Sequence, residues 1–313
     1  MKIEHLEYIL MVAECGSISK AANLLYMTQP QLSHIIRDLE AELAFPIFVR
    51  KNSGIELSQK GEEFIIHAKR IINENNRILR MRRESDNIQY FNVSTIKTSL
   101  VLDCFLQLLA EHKKDSIHFS INESGSNSAV NDVYTQDAEL GIVYLLSAER
   151  KSFLAEWESM GLKYEKICDL RHHIILSKHH PLIKRGKPIA REELYPYGML
   201  RYTNGTLFGS KTADFIWYRS FLDLNRITRF IDVFDRATMH NLLRRTDFFT
   251  LGTDAGIYQE DFHDIVSVPF SDNDIPMKPI AEMGYIYNSR VSLGPVAKQL
   301  IKILNTAYGN NGD

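Results

Sequence analysis

The sequence predicts an α/β protein with an α-rich N-terminal winged helix-turn-helix and a long linker helix. Three observations carry that reading. Residues 17–40, SISKAANLLYMTQPQLSHIIRDLE, form two helix-period segments around a tight turn. Gln59 to Arg83 is a long amphipathic segment without a helix breaker. From Gln89 onward, strand-like apolar runs alternate with helix-period segments, the pattern of a mostly parallel sheet covered on both faces. A chain of 313 residues has room for two or three domains.

The first helix is expected over Lys2 to Glu14, with Leu6, Ile9, Leu10 and Ala13 on one face and Gly16 ending it. Ser17 suits the N-cap of the second helix, where the small Ala21 and Ala22 allow close helix approach. Thr28 caps the third. Thr28-Gln29-Pro30-Gln31 fits a capping box, with Pro30 in the first turn, where its missing N–H costs little. This third helix has two chemically different faces. Leu32, Ile35, Ile36, Leu39 and Leu43 form an apolar stripe, whereas Pro30, Ser33, His34 and Arg37 lie opposite, with Gln29 at their head.

Two short strands follow, Phe45 to Val49 and Ile55 to Leu57, around the turn Lys51-Asn52-Ser53-Gly54. A basic-tipped hairpin behind a helix-turn-helix is a wing, with Arg50, Lys51 and Asn52 at its tip. Ser58 caps the long helix. Phe64, Ala68, Ile71, Asn75 and Ile78 follow the four-three spacing of a coiled-coil seam, with Asn75 as the polar position that sets register. Dimerisation is therefore expected here, and the polar stretch Arg82 to Asn87 reads as a hinge.

Beyond it, strands are expected at Tyr90–Ser94, Ile117–Glu123 and Leu140–Leu145, with helices at Ser99–Lys113 and Ala129–Thr135. A second block has strands at Tyr164–Leu170, His173–Ser177, Gly198–Tyr202, Arg229–Val233, Phe248–Leu251 and Ile265–Val268. Its helices fall near Arg191–Leu194, Thr212–Leu222 and Thr238–Arg245. The strand Glu282–Tyr287 and a helix from Pro295 to Tyr308 complete the pattern. Two such blocks with the chain crossing between them create a cleft, the usual ligand position for open α/β sheets.

Composition excludes several classes. With 44% apolar and 24% charged residues, the chain is neither disordered nor membrane-spanning, and no apolar run approaches the roughly 18 residues a span needs. Glu4, Glu7 and Glu14 interrupt the N-terminal apolar stretch, which reads as an amphipathic helix in a cytoplasmic protein. Cys15, Cys104 and Cys168 lack metal-ligand spacing and read as reduced thiols. Net charge is −2, and the first 90 residues carry 12 basic against 12 acidic side chains. Contact with double-stranded DNA must then rest on locally placed charges such as Lys20, Arg37, Arg50, Lys51 and Lys60. A patch that small favours a dimer or larger assembly.

A helix of this width fits the DNA major groove. There Gln29 can pair bidentately with adenine, Ser33 can bond a base edge or phosphate, and Arg37 can anchor phosphate. His34 can add a charge-assisted phosphate contact when protonated. The pairs His172-His173 and His179-His180 do not make a metal site, because adjacent strand residues point to opposite faces. No Gly-rich phosphate loop, nucleophile elbow or paired-carboxylate motif is present, so neither catalysis nor a cofactor is expected.

The sequence resembles the LysR-type transcriptional regulators. The match runs through Ala13-Glu14-x-Gly16-Ser17, Ala21-Ala22, Gln29-Pro30-x-Leu32-Ser33, Leu39-Glu40-x-Glu42-Leu43, Phe48-x-Arg50 and Leu57-Ser58-x-x-Gly61. Weaker marks continue at Glu123-Ser124-Gly125-Ser126, Glu139-Leu140-Gly141-Ile142, His180-Pro181-Leu182 and Leu251-Gly252. Ala44 stands where the family commonly has glycine, and His34 where arginine is frequent.

The resemblance implies a winged helix over 1–58, a dimerisation helix and hinge over 59–88, and an effector domain over 89–313 shaped like a periplasmic binding protein. Its two subdomains would comprise 89–163 with 267–313, and 164–266. A dimer of dimers regulated by a small-molecule effector is the implied assembly. Thr98 and Ser99 at a helix N-terminus suit an anionic group, and Ser126 and Thr203 are expected at the same cleft. Two other readings fit the same elements: an architectural DNA-binding protein whose C-terminal half only oligomerises, and a solute-binding α/β domain tethered to DNA.

Overall fold

The computed structural model describes residues 1–51, 54–81, 88–202, 221–253, 264–271 and 281–309. It divides into two units: Met1–Ile88 with Thr135–Asp137, and Gln89–Tyr134 with Ala138–Asp313.

In the first unit, α1 (Ile3–Cys15), α2 (Ile18–Leu24) and α3 (Gln29–Leu43) pack around Ile9, Val12, Ala21, Ala22, Leu32, Ile36 and Leu39, all buried. Gly16 ends α1 in the left-handed conformation, with φ of 58°. Strands β1 (Phe48–Lys51) and β2 (Gly54–Leu57) pair antiparallel, Phe48 opposite Leu57. The first strand begins three residues later than the sequence pattern suggests. The preceding segment is instead held by Glu40, whose Oε1 accepts from the Ile47 N–H at 2.7 Å and the Phe48 N–H at 3.0 Å.

Helix α4 (Gln59–Met81) starts at Ser58, whose hydroxyl accepts from the Gly61 N–H at 2.9 Å and donates to the Pro46 carbonyl at 2.6 Å. The chain passes so close here that a Cβ on Gly61 would lie 2.1 Å from the Ile47 carbonyl oxygen. Ala44 adopts the left-handed conformation (φ 58°, ψ 26°) at the C-terminus of α3.

The expected seam on α4 is divided. Ala68 is 0% exposed and, with half-buried Phe64, packs against Leu6 and Leu10 of α1 within the same chain. Ile71 and Ile78 are 40% and 55% exposed, and Asn75 lies between them, half-buried. Phe64 and Ala68 are therefore corrected from seam positions to core. A straight helix drifts about 20° per heptad against a seven-residue repeat, so one stripe turns from the α1-facing side to the open side.

The second unit contains two five-stranded sheets. The first has the order β4-β3-β5-β12-β6, formed by β3 (Gln89–Ile96), β4 (Ile117–Ser124), β5 (Leu140–Leu146), β6 (Leu162–Leu170) and β12 (Ala281–Asn288). The second has the order β11-β7-β10-β8-β9, formed by β7 (His172–Ser177), β8 (Met199–Tyr202), β9 (Phe230–Val233), β10 (Phe249–Thr253) and β11 (Ile265–Pro269). Neither sheet is mostly parallel. The β3–β4 and β3–β5 pairs are parallel but β12 runs antiparallel to β5 and β6. Likewise β10–β8 and β8–β9 are parallel, while β7 is antiparallel to β10 and β11. Reversal follows from the chain leaving one sheet and re-entering it.

The outward crossing lies at Arg171, between β6 and β7, and the return lies between Pro269 and Ala281. The strand at 162–170 thus belongs with the first sheet and 265–269 with the second, which corrects the expected boundaries at 163/164 and 266/267.

Helices α5 (Ser99–Glu111), α6 (Ser126–Tyr134), α7 (Arg150–Ser159), α8 (Pro181–Lys184), α9 (Arg236–Arg245) and α10 (Pro295–Tyr308) accompany the sheets. Strand β5 is buried along nearly its whole length, as a strand covered on both faces requires. One apolar cluster runs from Phe91, Val93 and Leu100 through Leu170 and Ile174 to Phe249 and Phe270, joining residues of both sheets. Helices α7 and α8 were not expected; the 191–194 segment is a 3-10 turn at Arg191–Glu193. The expected helix at 212–222 lies outside the described residues up to 220. Among the described residues no helix is long and apolar enough to cross a membrane.

The four clustered histidines have separate structural roles. His172 is buried against Phe221 at 4.9 Å between ring centroids, and His173 Nδ1 meets Ser267 Oγ at 3.0 Å. His180 Nδ1 accepts from the Leu182 N–H at 3.1 Å, so Nε2 donates to the Asp247 carbonyl at 3.0 Å. His179 is exposed beside Asp264. Cys104 and Cys168 are buried and Cys15 half-buried; burial pushes the Cys104 thiol up to about 12.

Three outcomes follow. Ala44→Gly should stabilise the chain by about 0.5–1 kcal/mol in thermal or urea unfolding. It removes roughly 1–2 kcal/mol of left-handed strain and returns part of that as unfolded-state entropy. Glu40→Ala should cost about 1–3 kcal/mol, since two backbone donors lose an ionised acceptor. Burial, assisted by Arg191, lowers His172 to about 3, and burial, assisted by Arg236 and Arg244, lowers His240 to about 4. Both are neutral in the fold, so their contribution is complete above the unfolded value near 6.5 and is lost as pH falls toward 4. Each contributes up to about 1.4 kcal/mol per pH unit in that window. Unfolding at pH 5 should show lower stability than at pH 7, with a shallower slope in His240→Gln; an unchanged slope would remove His240 from this account.

Candidate nucleic-acid interface and cleft

Two features fix how α3 begins. The Thr28 hydroxyl accepts from the Gln31 N–H at 3.4 Å, and Gln31 Oε1 accepts from the Thr28 N–H at 3.0 Å, closing the capping box. Pro30 occupies the first turn. With Leu32, Ile36 and Leu39 buried below, the opposite face is turned outward. There Gln29 Nε2 donates to Ser33 Oγ at 3.1 Å, and Arg37 Nε donates to the Ser33 carbonyl at 3.3 Å. The three side chains form one ladder along the helix axis. Its members are already oriented, which reduces the rotamer entropy lost on contact with a partner.

His34 differs from expectation. Its Nδ1 lies 2.9 Å from Asp38 Oδ2, one helical turn away, so in this structure the ring faces an acid of its own helix. At the wing, Lys51 pairs with Glu56 across the hairpin, and Arg50 is exposed. Asn52 lies outside the described residues. The wing is tied to α1 by the Ile55 N–H, which donates to the Gly16 carbonyl at 3.2 Å.

One exposed residue escaped the sequence reading. Tyr26, in the turn between α2 and α3, is 98% exposed at φ 53°. Its left-handed backbone holds the ring away from the core. An apolar-period count gives no signal for such a position, because the residue sits in a turn.

The cleft gathers residues from both sheets. A cavity of about 50 Å³ is lined by Lys97, Thr98 and Ser99 after β3, by Tyr144 of β5, and from the second sheet by Tyr202, Arg236, Thr250 and Thr253, among others. Thr98 and Ser99 thus meet the expected cleft. Thr98 is the N-cap of α5 and makes no side-chain cap bond. Ser126 is held elsewhere. Its hydroxyl accepts from the Tyr144 N–H at 3.0 Å and donates to the Tyr144 carbonyl at 3.3 Å, pinning α6 to β5. It does not line the cavity, and Thr203 lies outside the described residues.

Charged side chains reach from one sheet's side to the other. Arg236, the first residue of α9, is 3.1 Å from Glu123 of β4, and Lys97 lies 5.2 Å from the centroid of the Tyr202 ring. Burial raises the Glu123 carboxyl above its ordinary value, opposed by the charges of Arg236 and Lys97. Glu123, Arg236 and Thr250 escaped the sequence reading of the cleft because they are widely separated along the chain.

The family model described as "Bacterial regulatory helix-turn-helix protein, lysR family" matches residues 3–62. An uncharacterized HTH-type transcriptional regulator, YvbU of Bacillus subtilis (strain 168), is 25% identical over 186 residues, covering 58% of this chain and 60% of that protein. The HTH-type transcriptional regulator PcaQ of Agrobacterium fabrum (strain C58 / ATCC 33970) is 23% identical over 243 residues, 76% of this chain and 75% of that protein. The chain spans about three fifths of the length of the first curated relatives it matches, 60% and 62%.

Among solved structures, CbnR, a LysR family transcriptional regulator, has a TM-score of 0.61 at 17% identity, covering 98% of this chain and 99% of its own. Full-length CbnR complexed with the target DNA has a TM-score of 0.58 at 16% identity, covering 98% and 100%. At these identities the likeness is one of fold, and it extends the agreement from the helix-turn-helix across both sheets of the second unit. Residues 3–62 thus match a LysR-family helix-turn-helix, and the whole chain is similar in fold to a LysR family transcriptional regulator.

Proposed function

We propose that the protein is a cytoplasmic, sequence-specific DNA-binding transcriptional regulator whose activity responds to a small-molecule effector held between the two sheets of its second unit. The observation that carries the reading is the outward ladder of Gln29, Ser33 and Arg37 on a helix whose start is fixed twice, by the capping box and by Pro30. A helix of 15 residues is roughly 22 Å long and fits the major groove, with Gln29 at its N-terminal end to read a base edge. Arg37 and Arg50 supply phosphate contacts, and Tyr26 and Pro30 flank the reading end. CbnR, similar in fold over the whole chain, has been solved with its target DNA, which supports the assignment of α3 to this role.

Self-association supplies the rest of the affinity. With a balanced charge on the DNA-reading region, one copy neutralises few phosphates. Ile71 and Ile78 remain exposed on α4 with Asn75 half-buried between them, at the spacing through which a second copy can pack. A dimer, extended to a tetramer as in the family, then presents two or more reading helices to one site. The cleft suits an anionic effector, since Lys97, Arg236 and the start of α5 converge there. No cofactor or catalytic step is involved.

Footprinting the DNA upstream of the protein's own gene should show protection that changes with effector. Gln29→Ala should lose about 1–3 kcal/mol at the specific site and almost nothing on random DNA; equal losses on both would reject Gln29 as a base reader. Arg37→Ala should weaken both and reduce the salt slope by about one. Ser99→Ala should keep DNA binding and lose the effector response, and a response of normal size would exclude Ser99 from the pocket.

A further inference from the structure

We infer that Glu123 is a resident internal ligand of the cleft: its carboxylate holds Arg236 in this state, and a small organic carboxylate acts as effector by competing with it. The inference rests on the proposed effector cleft and names both the ligand class and the group it displaces.

The parallel β3–β4 register sets Thr95 opposite Glu123 and Ile96 opposite Ser124, so Lys97 and Glu123 emerge together at the carboxyl ends of neighbouring strands. Arg236 reaches them from the second sheet, 3.1 Å from Glu123. The nearest other acid in sequence, Asp235, is occupied at the start of α9, accepting from the Thr238 N–H at 2.8 Å. Glu123 thus lies within ion-pair distance of Arg236, and the charge of Lys97 also bears on it.

The polar groups point the same way. Thr250 is 5% exposed and lines the cavity, and its hydroxyl is buried with no hydrogen-bond partner. Arg236 also lines it, with one terminal nitrogen buried and lacking an acceptor, and the Glu123 Oε1 that lies 3.1 Å from its other nitrogen is itself buried without a well-formed hydrogen bond. Such groups are costly to bury unless something accepts from them or donates to them. An incoming carboxylate can take the Arg236 fork, accept from Thr250 and lie at the start of α5.

Volume decides that the state is closed. The cavity measures about 50 Å³, whereas ligand pockets run to roughly 300–1,000 Å³. A metabolite can enter only if the sheets part, and the Glu123–Arg236 pair bridges them. Displacing Glu123 thus couples occupancy to the separation of the sheets, the differential affinity a population shift requires.

The test uses the full chain, with sodium acetate, succinate and citrate titrated at constant ionic strength against sodium chloride, read by calorimetry and thermal shift. At least one carboxylate should bind wild type saturably. It should bind Glu123→Gln on the order of tenfold tighter, the size of one charge-assisted bond. Glu123→Asp, which withdraws the carboxylate by one methylene, should fall between them and stands in if Glu123→Gln does not fold. Arg236→Gln should abolish binding. Equal or weaker binding to both Glu123 variants overturns the competition, as does binding retained in Arg236→Gln, or no saturable binding to any form. DNA binding by the same preparations separates the two levels. Intact DNA binding with unmoved carboxylate affinity sinks the role of Glu123 alone, whereas wild type without specific DNA binding sinks the regulatory function.

Discussion

The buried stripe of α3 is the constraint on which the outward polar face of that helix depends. Leu32, Ile36 and Leu39 enter the same cluster as Ile9 and Val12 of α1 and Ala21 and Ala22 of α2. Rotating α3 to present another face would expose those three side chains, at about 1.5–3 kcal/mol each. The polar face is therefore held outward by apolar packing, and the capping box sets its axial position. Glu40 carries the same order into the wing by fixing Ile47 and Phe48. The reading helix, the wing and the start of α4 behave as consequences of one packed core.

Electrostatics in the first unit are arranged by pairs. Lys51 faces Glu56, and His34 faces Asp38. These pairs are exposed and contribute little to stability, but they keep the charge of this surface near neutral. Under the proposed role, phosphate binding would proceed by exchange of partners, which dampens attraction to random DNA more than to a site where Gln29 finds its base. The histidine ring illustrates the point: the departure from arginine at residue 34 is matched by an acid one turn away.

What the sequence disclosed depended on range. Thr28, Gln31 and Pro30 write the start of α3 within four residues, and the closing helix was legible from Pro295 to Tyr308 because its apolar spacing is uninterrupted. Helix α7 was missed because its apolar residues are few, with Trp157 buried in a cluster formed by distant strands. The mixed direction of the first sheet depends on pairings between segments more than 100 residues apart, as Met283 with Cys168 shows, and that of the second on pairings more than 70 apart, as Phe249 with Leu176 shows. The cleft was half legible. Thr98 and Ser99 are marked by a local helix start, whereas Glu123, Arg236 and Thr250 meet only through the tertiary fold. Phe64 and Ala68 carried a true periodic signal whose partner, α1, lies in the same chain.

The position of β12 gives the chain a temporal order. It lies between β5 and β6, yet it is made after every strand of the second sheet. During synthesis β6 emerges with no neighbour to pair with, and about 110 residues pass before one arrives. Meanwhile the second sheet acquires all of its strands, as an insertion inside an unfinished partner. The first sheet closes only when the last strand threads between two that have been waiting. A ribosome releasing this chain thus completes the second unit in reverse, inner lobe before outer.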